Sequence, residues 1–221
     1  MSENSIPKQN PVPVAIVIGR QFGSGGRVIG RLVASHLGIP YYDKELLSEA
    51  AQKMGFAPEV FAKADEKPPS PLRSLLQGFY GVADNFHTGS YYGEGLYRAQ
   101  SEVIRELAAN QSCVFVGRTA DYVLRDHPGL VSVFLHAPSD WRAARIVERC
   151  ESTDHQQAKD MARRNDRNRE NFYNYFTGRH WGRASNYHLS IDSSLFPAET
   201  VADMIVKFAQ KRLETLNKQQ D

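Results

Sequence analysis

The sequence contains little cysteine and no long apolar run. Only two cysteines, Cys113 and Cys150, occur in 221 residues, which argues against a disulfide framework, and no spacing typical of metal ligands is present. No stretch is apolar over the length of a membrane-spanning helix, and the first dozen residues lack the apolar core of a signal peptide. These absences predict a cytoplasmic protein without a structural metal.

Neither sign of charge predominates. Lys and Arg number 27 and Asp and Glu number 25, a net charge of +2, which is too small to indicate nucleic acid or a membrane surface as the partner. The hydrophobic share of 41% and the charged share of 24% are those of an ordinary soluble protein. A chain of this length can form a single α/β domain with a complete core, and the composition leaves a homo-oligomer open.

What the sequence does contain is a glycine-dense loop between an apolar run and a helix-period segment. The run 14–18 (VAIVI) does not alternate, so it predicts a strand that is buried on both faces. Glycines at 23, 25 and 26 let backbone N–H groups turn inward around an anion, a geometry that a Cβ would obstruct. Helix-period residues follow over 27–37. This order predicts a phosphate-binding P-loop, with an ordinary turn as the alternative.

The loop lacks the lysine of the P-loop pattern GxxxxGK[ST]. Gly26 stands at the lysine position, and Arg27 and Val28 follow it. Either Arg27 or Arg20 would then have to supply the missing positive charge, and the alternative for each is that it points to solvent. The loop therefore indicates phosphate binding more strongly than it indicates catalysis.

The rest of the chain alternates between predicted strands and helices. Short or apolar runs predict strands at 41–42, 113–116, 130–135 and 187–191, and helices are predicted over 44–54, 96–109, 141–150, 156–176 and 199–213. Asp43 has the side chain and the place of an N-cap for the first of these helices. Such alternation predicts a parallel sheet of about five strands that helices wrap on both sides.

Two further elements carry charged residues suited to phosphate. Arg118 follows a buried strand, at the end of the sheet where ligands bind, and its guanidinium can contact two phosphate oxygens. The alternative is a surface arginine in a turn. The helix around 162–176 places Arg163, Asp166 and Arg169 within two turns, with Asn165 beside them. They could close over phosphates, although a solvated helix with salt bridges would explain the same residues.

Six strings, in this order, resemble one known family. They are GRQFGSGGRVIG, GIPYYDKEL, VFVGRTADYVL, VFLHAPSDWRAARI, NDRNRENFY and NYHLSIDSS. On these strings the chain resembles the cytidylate kinase-like family, a branch related to bacterial cytidylate kinases, over nearly all of residues 13–208. The resemblance implies an α/β P-loop NTPase fold and a transferase. Such a kinase would move a phosphoryl group from ATP, with Mg²⁺, to a nucleoside monophosphate, CMP or dCMP first.

The resemblance also implies roles for individual residues. The donor phosphates would lie on the loop, and Arg145 would face the donor; this donor-binding set is Arg20, Gly23, Ser24, Gly25, Gly26 and Arg145. Asp43 resembles the acidic residue near the acceptor nucleoside, and Arg118 resembles the arginine that holds the acceptor phosphate. Asp166 and Arg169 resemble the Asp-x-x-Arg pair that contacts cytosine and phosphate in cytidylate kinases. The expected catalytic set is Arg27, Arg118, Arg163, Asp166 and Arg169.

Two departures from cytidylate kinases proper bear on activity. Those enzymes carry GxGKGT where this chain has GSGGRV, a change that resembles a trait of the cytidylate kinase-like branch. Their acceptor segment DTGAxYR is replaced by YDKELLSEA, which leaves the specificity for cytidine open. The alternatives are a weakly active nucleotide-binding regulator of kinase descent and a kinase of another small phosphorylated metabolite.

The predicted organisation is one kinase domain between short terminal segments. A disordered leader covers 1–12, the domain covers 13–215, and a tail covers 216–221. Within the domain, a mobile insertion on the acceptor side is expected at about 56–95 and a helical lid at about 151–184. For the proline-rich part of the insertion, the alternative is an irregular surface excursion.

Overall fold

A computed structural model of the chain describes residues 12–53, 90–149, 151–152 and 154–218. Nearly all of the predicted leader, most of the predicted insertion and half of the predicted tail lie outside these residues. Within the described part, strands and helices alternate as the sequence predicts.

The described strands are β1 (Ala15–Arg20), β2 (Tyr41–Tyr42), β3 (Cys113–Val116), β4 (Leu130–His136) and β5 (Leu189–Asp192). They form one parallel sheet in the order β2-β3-β1-β4-β5. Ala15 is in register with Cys113 on one side and Leu130 on the other. The predicted five-stranded parallel sheet is therefore confirmed, with β1 at its centre.

The described helices connect and cover these strands. They are α1 (Gly26–Leu37), α2 (Lys44–Lys53), α3 (Ser90–Asn110), α4 (Ala120–Val123), α5 (Ser139–Glu148), α6 (His155–Thr177) and α7 (Ala198–Lys218). A short 3-10 turn, Ala184–Asn186, precedes β5. Among the described helices, none combines the length and the apolar composition that crossing a bilayer requires.

Local signals explain where several of these helices begin and end. The Oδ1 of Asp43 accepts a hydrogen bond from the amide of Leu46 at 3.2 Å, so Asp43 caps α2 as predicted. The carboxylate of Asp154 accepts a hydrogen bond from the amide of Gln157 and caps α6 in the same way. Helix α1 ends at Gly38, whose φ of 62° is the left-handed conformation that glycine adopts without strain.

Some boundaries differ from the predicted ones. Helix α3 begins six residues before the predicted start at 96, and α5 covers 139–148 instead of 141–150. Strand β5 covers 189–192, where 187–191 was expected, because residues 184–186 form the 3-10 turn. Helix α4 was not predicted, and it follows β3 directly.

The core has two parts, one on each face of the sheet. Ile16 and Ile18 of β1 are buried against α1 and α7, and Val17 is buried against α3 and α4. All three side chains have no exposed surface. Burial on both faces is why the run 14–18 is apolar without alternation. It also fixes the carboxyl end of β1, from which the glycine loop begins.

Helix α6 lies against the loop that follows β1. Ala158 and Ala162 of α6 are buried against Ala143 and Ile146 of α5, and the partly buried Phe22 of the loop packs on this cluster. Small side chains on α6 permit this close approach of the two helices. The predicted lid segment is thus packed on the loop and places its charged residues there.

Candidate active site

The loop between β1 and α1 is built around glycines. Gly23 and Gly25 have φ of +83° and +82°, a region that a side chain with a Cβ rarely adopts. Gly25 is the N-cap of α1, and the amides of the first helical turn have no acceptor within the helix. They can therefore bind an anion, which the positive end of the helix dipole also favours.

Ser24 holds this loop from inside the protein. Its side chain is fully buried, and its Oγ donates a hydrogen bond to the carbonyl of Gln21 at 2.8 Å. The Oγ of Ser193, which follows β5, donates to the carbonyl of Ser24 at 2.8 Å. Ser24 was predicted as a donor-binding residue, and its hydroxyl is engaged within the loop.

The Arg20 side chain passes along the loop from the end of β1. A Cβ on Gly26 would lie 2.7 Å from the Cγ of Arg20 and 2.9 Å from its Cβ. At the other end, a Cβ on Gly117 would lie 3.0 Å from the Cζ of Arg20. Arg20 therefore reaches from the loop to the residue that follows β3.

Arg27 has a different direction. Its Nη2 lies 3.3 and 3.4 Å from the two carboxylate oxygens of Glu45 on α2, and 57% of its side chain is exposed. Of the two arginines predicted to replace the missing lysine, Arg27 is thus paired at the surface and Arg20 lies along the loop.

Arg118 lies just beyond β3 in an unusual backbone conformation. Gly117, Arg118 and Thr119 have consecutive φ values of +79°, +60° and +52°. Non-glycine residues with positive φ are uncommon, and they concentrate at functional sites where the surrounding structure imposes them. The prediction that Arg118 falls at the carboxyl end of a strand is confirmed.

On the β2 side of the loop, Asp43 and Lys44 directly follow β2. The Oδ2 of Asp43 is 3.8 Å from Arg31 and accepts a hydrogen bond from the hydroxyl of Tyr41 at 3.4 Å. Burial and, to a smaller extent, the nearby charge of Arg118 lower the pKa of Lys44 to about 8. Lys44 was not among the predicted site residues, although it stands next to Asp43 in the string GIPYYDKEL.

Asp166 of α6 joins the lid segment to the loop. Its Oδ1 accepts a hydrogen bond from the amide of Phe22 at 2.6 Å, and its Oδ2 accepts one from Nη1 of Arg142 at 2.7 Å. Arg142 also donates to the carbonyls of Ala137 and Phe22. Arg142, on α5, was not among the predicted site residues, because its contact with Asp166 depends on α5 meeting α6.

Arg169 lies one turn further along α6 and also contacts the loop. Its Nη1 donates to the carbonyl of Arg20 at 3.2 Å and lies 3.4 Å from Oδ1 of Asp166. Its guanidinium stands 5.4 Å from the ring centroid of Phe22. The structure thus brings both residues of the predicted Asp-x-x-Arg pair to the loop.

Two other predicted arginines make contacts away from the glycine loop. Arg163 pairs with Asp160 at 3.2 Å on the surface of α6, and 68% of its side chain is exposed. Arg145 lies over the ring of Trp141 at 4.9 Å on α5. Arg163 therefore fits the solvated-helix alternative, and Arg145 packs on Trp141 of its own helix.

The residues around the loop form a positively charged cluster. Burial lowers the pKa of Arg20 well below its usual value, and the charges of Arg169, Arg118 and Arg27 lower it further. Burial likewise lowers the pKa of Arg118 and of Arg169 to about 10, where Arg27 again contributes to the repulsion. At neutral pH these groups keep their protons, and an anion that lies between them would relieve the repulsion.

A cavity of about 560 Å³ opens on the β4–β5 side of the loop. It is lined by Gln21, Phe134, His136, Ala137, Pro138, Trp181, Gly182, Ser190 and Asp192. Trp181 meets Phe134 edge-on, with ring centroids 5.2 Å apart. Aromatic and polar groups thus stand together next to the first residues of the loop.

Comparison with solved structures shows the same fold in other proteins, two of which are kinases. An uncharacterized protein from Eubacterium ventriosum is 27% identical, with a TM-score of 0.67 over 89% of this chain and 98% of that chain. A gluconokinase from Sinorhizobium meliloti is 15% identical, with a TM-score of 0.56 over 96% and 100%. A shikimate kinase from Bacteroides thetaiotaomicron is 14% identical, with a TM-score of 0.50 over 91% and 98%. The last two similarities concern the fold alone.

Comparison with protein families is more specific. A search of curated proteins gives no match to the chain. The sequence model of the cytidylate kinase-like family matches residues 15–195, a range that contains the glycine loop, Arg118 and the Asp166–Arg169 pair. The parallel sheet, its P-loop and the kinase neighbours agree with that match. The chain belongs to the cytidylate kinase-like family.

Proposed function

We propose that the protein is a kinase that transfers the γ-phosphoryl group of ATP to a nucleoside monophosphate, with CMP or dCMP as the first candidates. The observation that carries this proposal is the convergence of Arg20, Arg118 and Arg169 on a glycine loop with free first-turn amides. The carboxylates of Glu45, Asp43 and Asp166 offset part of the repulsion among these guanidinium groups, and bound anions among the groups would offset more of it. A donor triphosphate and an acceptor phosphate would supply those anions.

The proposed reaction asks for positioning and charge stabilisation. A bond forms between an oxygen of the acceptor phosphate and the γ-phosphorus, and the bond from that phosphorus to the β–γ bridging oxygen breaks. Negative charge then builds on the transferred group and on the leaving ADP. The amides at the start of α1 would hold the donor phosphates, while Arg118 and Arg169 would neutralise the transferred group.

Mg²⁺ would enter this site as a complex with ATP. Among the described residues, no three His, Cys, Asp or Glu side chains come together as a metal site. Mg²⁺ commonly keeps several of its waters and binds through substrate phosphates with few protein ligands. The residues next to the loop are compatible with such a complex, and the cation would reduce the charge of the triphosphate.

The adenine base of the ATP donor is expected on the β4–β5 side of the loop. The cavity there is lined by Trp181 and Phe134, together with the polar side chains of His136 and Asp192. Aromatic rings stack on nucleobases, and polar groups can contact the ring nitrogens. We expect the adenine of ATP to lie in this cavity while the phosphates follow the loop.

One observation favours an acceptor other than CMP as the second candidate. The Asp166 carboxylate accepts hydrogen bonds from Phe22 and Arg142, so both of its oxygens are engaged by the protein. With these contacts and only 14% of its side chain exposed, Asp166 offers a cytosine ring little access. A kinase of another small phosphorylated metabolite would need Arg118 and Arg169 but no cytosine contact.

The test is a substrate panel. Purified protein with Mg-ATP is offered CMP, dCMP, UMP, AMP and GMP, and in parallel phosphorylated sugars and phosphorylated acids, while ADP release is followed by a coupled assay. We expect turnover with CMP or dCMP well above ATP hydrolysis in the absence of an acceptor. The control is the Arg118→Ala variant, which should lose turnover with every acceptor because the acceptor phosphate loses its guanidinium.

The outcomes separate the candidates. Turnover with a sugar or acid phosphate, and none with nucleoside monophosphates, would replace the first candidate by the second. A protein that binds ATP but phosphorylates no acceptor in the panel would contradict both, and would favour a nucleotide-binding regulator of kinase descent.

A further inference from the structure

We propose that Arg20 supplies the positive charge that the lysine supplies in other P-loops, and that Gly26 is a glycine because the Arg20 side chain occupies the space beside it. This proposal rests on the proposed phosphotransferase function, since it assigns the group that contacts the donor phosphates. It concerns a residue that comes six positions before the usual lysine.

The first argument is the space beside Gly26. An ideal Cβ on Gly26 would approach the Cβ and Cγ of Arg20 to 2.9 and 2.7 Å, distances that real Cβ atoms do not show. The Cβ of Arg20 is bonded to the β1 backbone and cannot move aside without moving the strand, and the Cγ can move only by a change of χ1. A lysine at position 26 and an arginine at position 20 therefore exclude each other.

The second argument is the space at the other end of the side chain. Gly117 has a φ of +79°, and its missing Cβ leaves room that the Arg20 guanidinium fills. The guanidinium thus lies between the carboxyl ends of β1 and β3, with Arg118 next to it along the chain. In a parallel sheet this is where ligands bind.

The third argument is the charge around Arg20. Arg169, Arg118 and Arg27 all disfavour its protonated form. Among the residues that the structure describes, no carboxylate forms an ion pair with Arg20. A guanidinium held among other guanidinium groups without a carboxylate is suited to a phosphate, with which it can form two parallel hydrogen bonds.

Arg27 is the competing residue, and its contacts differ. Its guanidinium is directed to Glu45 and is more than half exposed. In that position its charge acts on the site from a distance and through solvent, which weakens its effect. Arg27 therefore contributes to the overall field, whereas Arg20 is placed to contact the phosphates.

The experiment measures phosphate binding separately from catalysis. Inorganic tripolyphosphate is titrated into wild-type protein, Arg20→Ala, Arg20→Met and Arg27→Ala by calorimetry, and turnover is measured with the best acceptor of the panel. We expect Arg20→Ala to weaken tripolyphosphate binding by about tenfold or more and to lower kcat by roughly 10². Arg27→Ala should have a clearly smaller effect on both, and Arg125→Ala, at a surface site far from the loop, is the control for total charge.

Arg20→Met protects the test against misfolding, because it keeps the stem of the side chain beside Gly26 and removes only the charge. Without an anion, its melting temperature should equal or exceed that of the wild type, since a repelled cation is gone. Tripolyphosphate should raise the melting temperature of the wild type and leave that of Arg20→Met nearly unchanged.

A swap of the two positions tests the spatial argument. Gly26→Lys alone should weaken tripolyphosphate binding, because the new side chain collides with Arg20. The double variant Arg20→Gly/Gly26→Lys should bind about tenfold more tightly than Arg20→Gly, because removal of the whole Arg20 side chain, its Cβ included, gives the lysine the vacated space.

Two results would overturn the assignment of Arg20. One is tripolyphosphate binding by folded Arg20→Ala and Arg20→Met within about twofold of wild type; the other is an equal or larger loss in Arg27→Ala. Because these readouts need no acceptor, they are independent of the substrate panel. A wild-type protein that binds tripolyphosphate through Arg20 but phosphorylates no acceptor would contradict the proposed function and leave the assignment of Arg20 standing.

Discussion

Replacement of Asp166 by alanine removes the carboxylate that joins α6 to the phosphate loop. In the folded protein this carboxylate accepts hydrogen bonds from the amide of Phe22 and from the guanidinium of Arg142, at 2.6 and 2.7 Å. Both charged side chains are largely shielded, with exposed fractions of 14% for Asp166 and 9% for Arg142. We therefore expect Asp166→Ala to lower the free energy of unfolding and to loosen the loop.

The size of this decrease in the free energy of unfolding depends on the partners that Asp166→Ala leaves without an acceptor. Loss of a hydrogen bond to a charged group costs about 1.5–3 kcal/mol, and removal of one partner of a buried pair costs about 3–5 kcal/mol because the other charge stays buried. Arg142 keeps its hydrogen bonds to the carbonyls of Ala137 and Phe22, which reduces that cost. We expect a loss of about 3 kcal/mol, or a melting temperature lowered by about 6–12 °C in a chain of this size.

The assay is urea unfolding followed by circular dichroism at neutral pH, with the slope checked for a change in denatured-state compactness. Arg163→Ala is the matched control, because Arg163 lies on the same helix but is mostly exposed and pairs only with Asp160. That variant should change the free energy of unfolding by less than about 0.5 kcal/mol. The double variant Asp166→Ala/Arg142→Met should be more stable than the sum of the two single losses predicts.

A decrease of less than about 1 kcal/mol in the free energy of unfolding of Asp166→Ala would refute this reasoning, since removal of a carboxylate with these buried partners should destabilise the fold by more than that. Equal losses in Asp166→Ala and Arg163→Ala would show that the effect belongs to the helix and not to the contact with the loop.

Two further predictions concern the loop and a buried carboxyl. Gly25→Val should fold, because a Cβ there meets only Ile29 at 3.5 Å. Valine strains a φ of +82°, so the variant should distort the phosphate loop and abolish ATP binding measured by calorimetry. Unchanged ATP affinity would contradict a phosphate-binding loop. Burial raises the pKa of Asp121 to about 6, against a hydrogen bond from Tyr173 that lowers it. The protonated Asp121 carboxyl stabilises the folded protein fully below pH 4, and this stabilisation is lost as pH rises through 6. The free energy of unfolding of Asp121→Asn, measured by urea unfolding, should therefore rise by up to about 3 kcal/mol relative to that of the wild type between pH 4 and pH 7. A pH-independent difference would contradict it.

The central strand and the loop could be predicted from the sequence because their signals are local. An unbroken apolar run needs burial on both faces, and that is the place of β1 in the sheet. The end of the strand was harder to predict, because β1 continues to Arg20, which pairs in register with Leu135 of β4. A polar residue at a strand end resembles a loop residue until the neighbouring strand supplies its hydrogen bonds.

The lid helix shows why only part of the candidate site could be predicted. Asp166 and Arg169 are one turn apart, and both reach the loop, as their spacing indicates. Arg163 lies about 120° around the helix from Arg169 at 100° per residue, and Asp160 holds it at the surface. The sequence of the segment does not show which face of the helix packs on the loop, because the position of α5 determines the orientation of α6.

Arg142 illustrates the same limit across two elements. Its sequence position on α5 indicates a helix residue, and nothing local shows that its guanidinium is buried against Asp166 on the next helix. Burial of such a pair stabilises the fold only when both partners are present. Residues whose function is to hold another residue are therefore visible only once the helices have been placed against each other.

The missing lysine is the case in which a local pattern is most misleading. Compared with GxxxxGK[ST], a glycine at position 26 indicates the loss of a catalytic charge. In the folded protein, Gly26 and Gly117 flank the Arg20 side chain, and a Cβ at either position would collide with it. A lysine can return to position 26 only if the Arg20 side chain is removed, because the new Cβ would lie 2.9 and 2.7 Å from the Cβ and Cγ of Arg20. Gly117, whose φ of +79° favours glycine by itself, leaves the room that the Arg20 guanidinium fills. A glycine at position 26 packed against an arginine at position 20 favours a relocated charge over a decayed site.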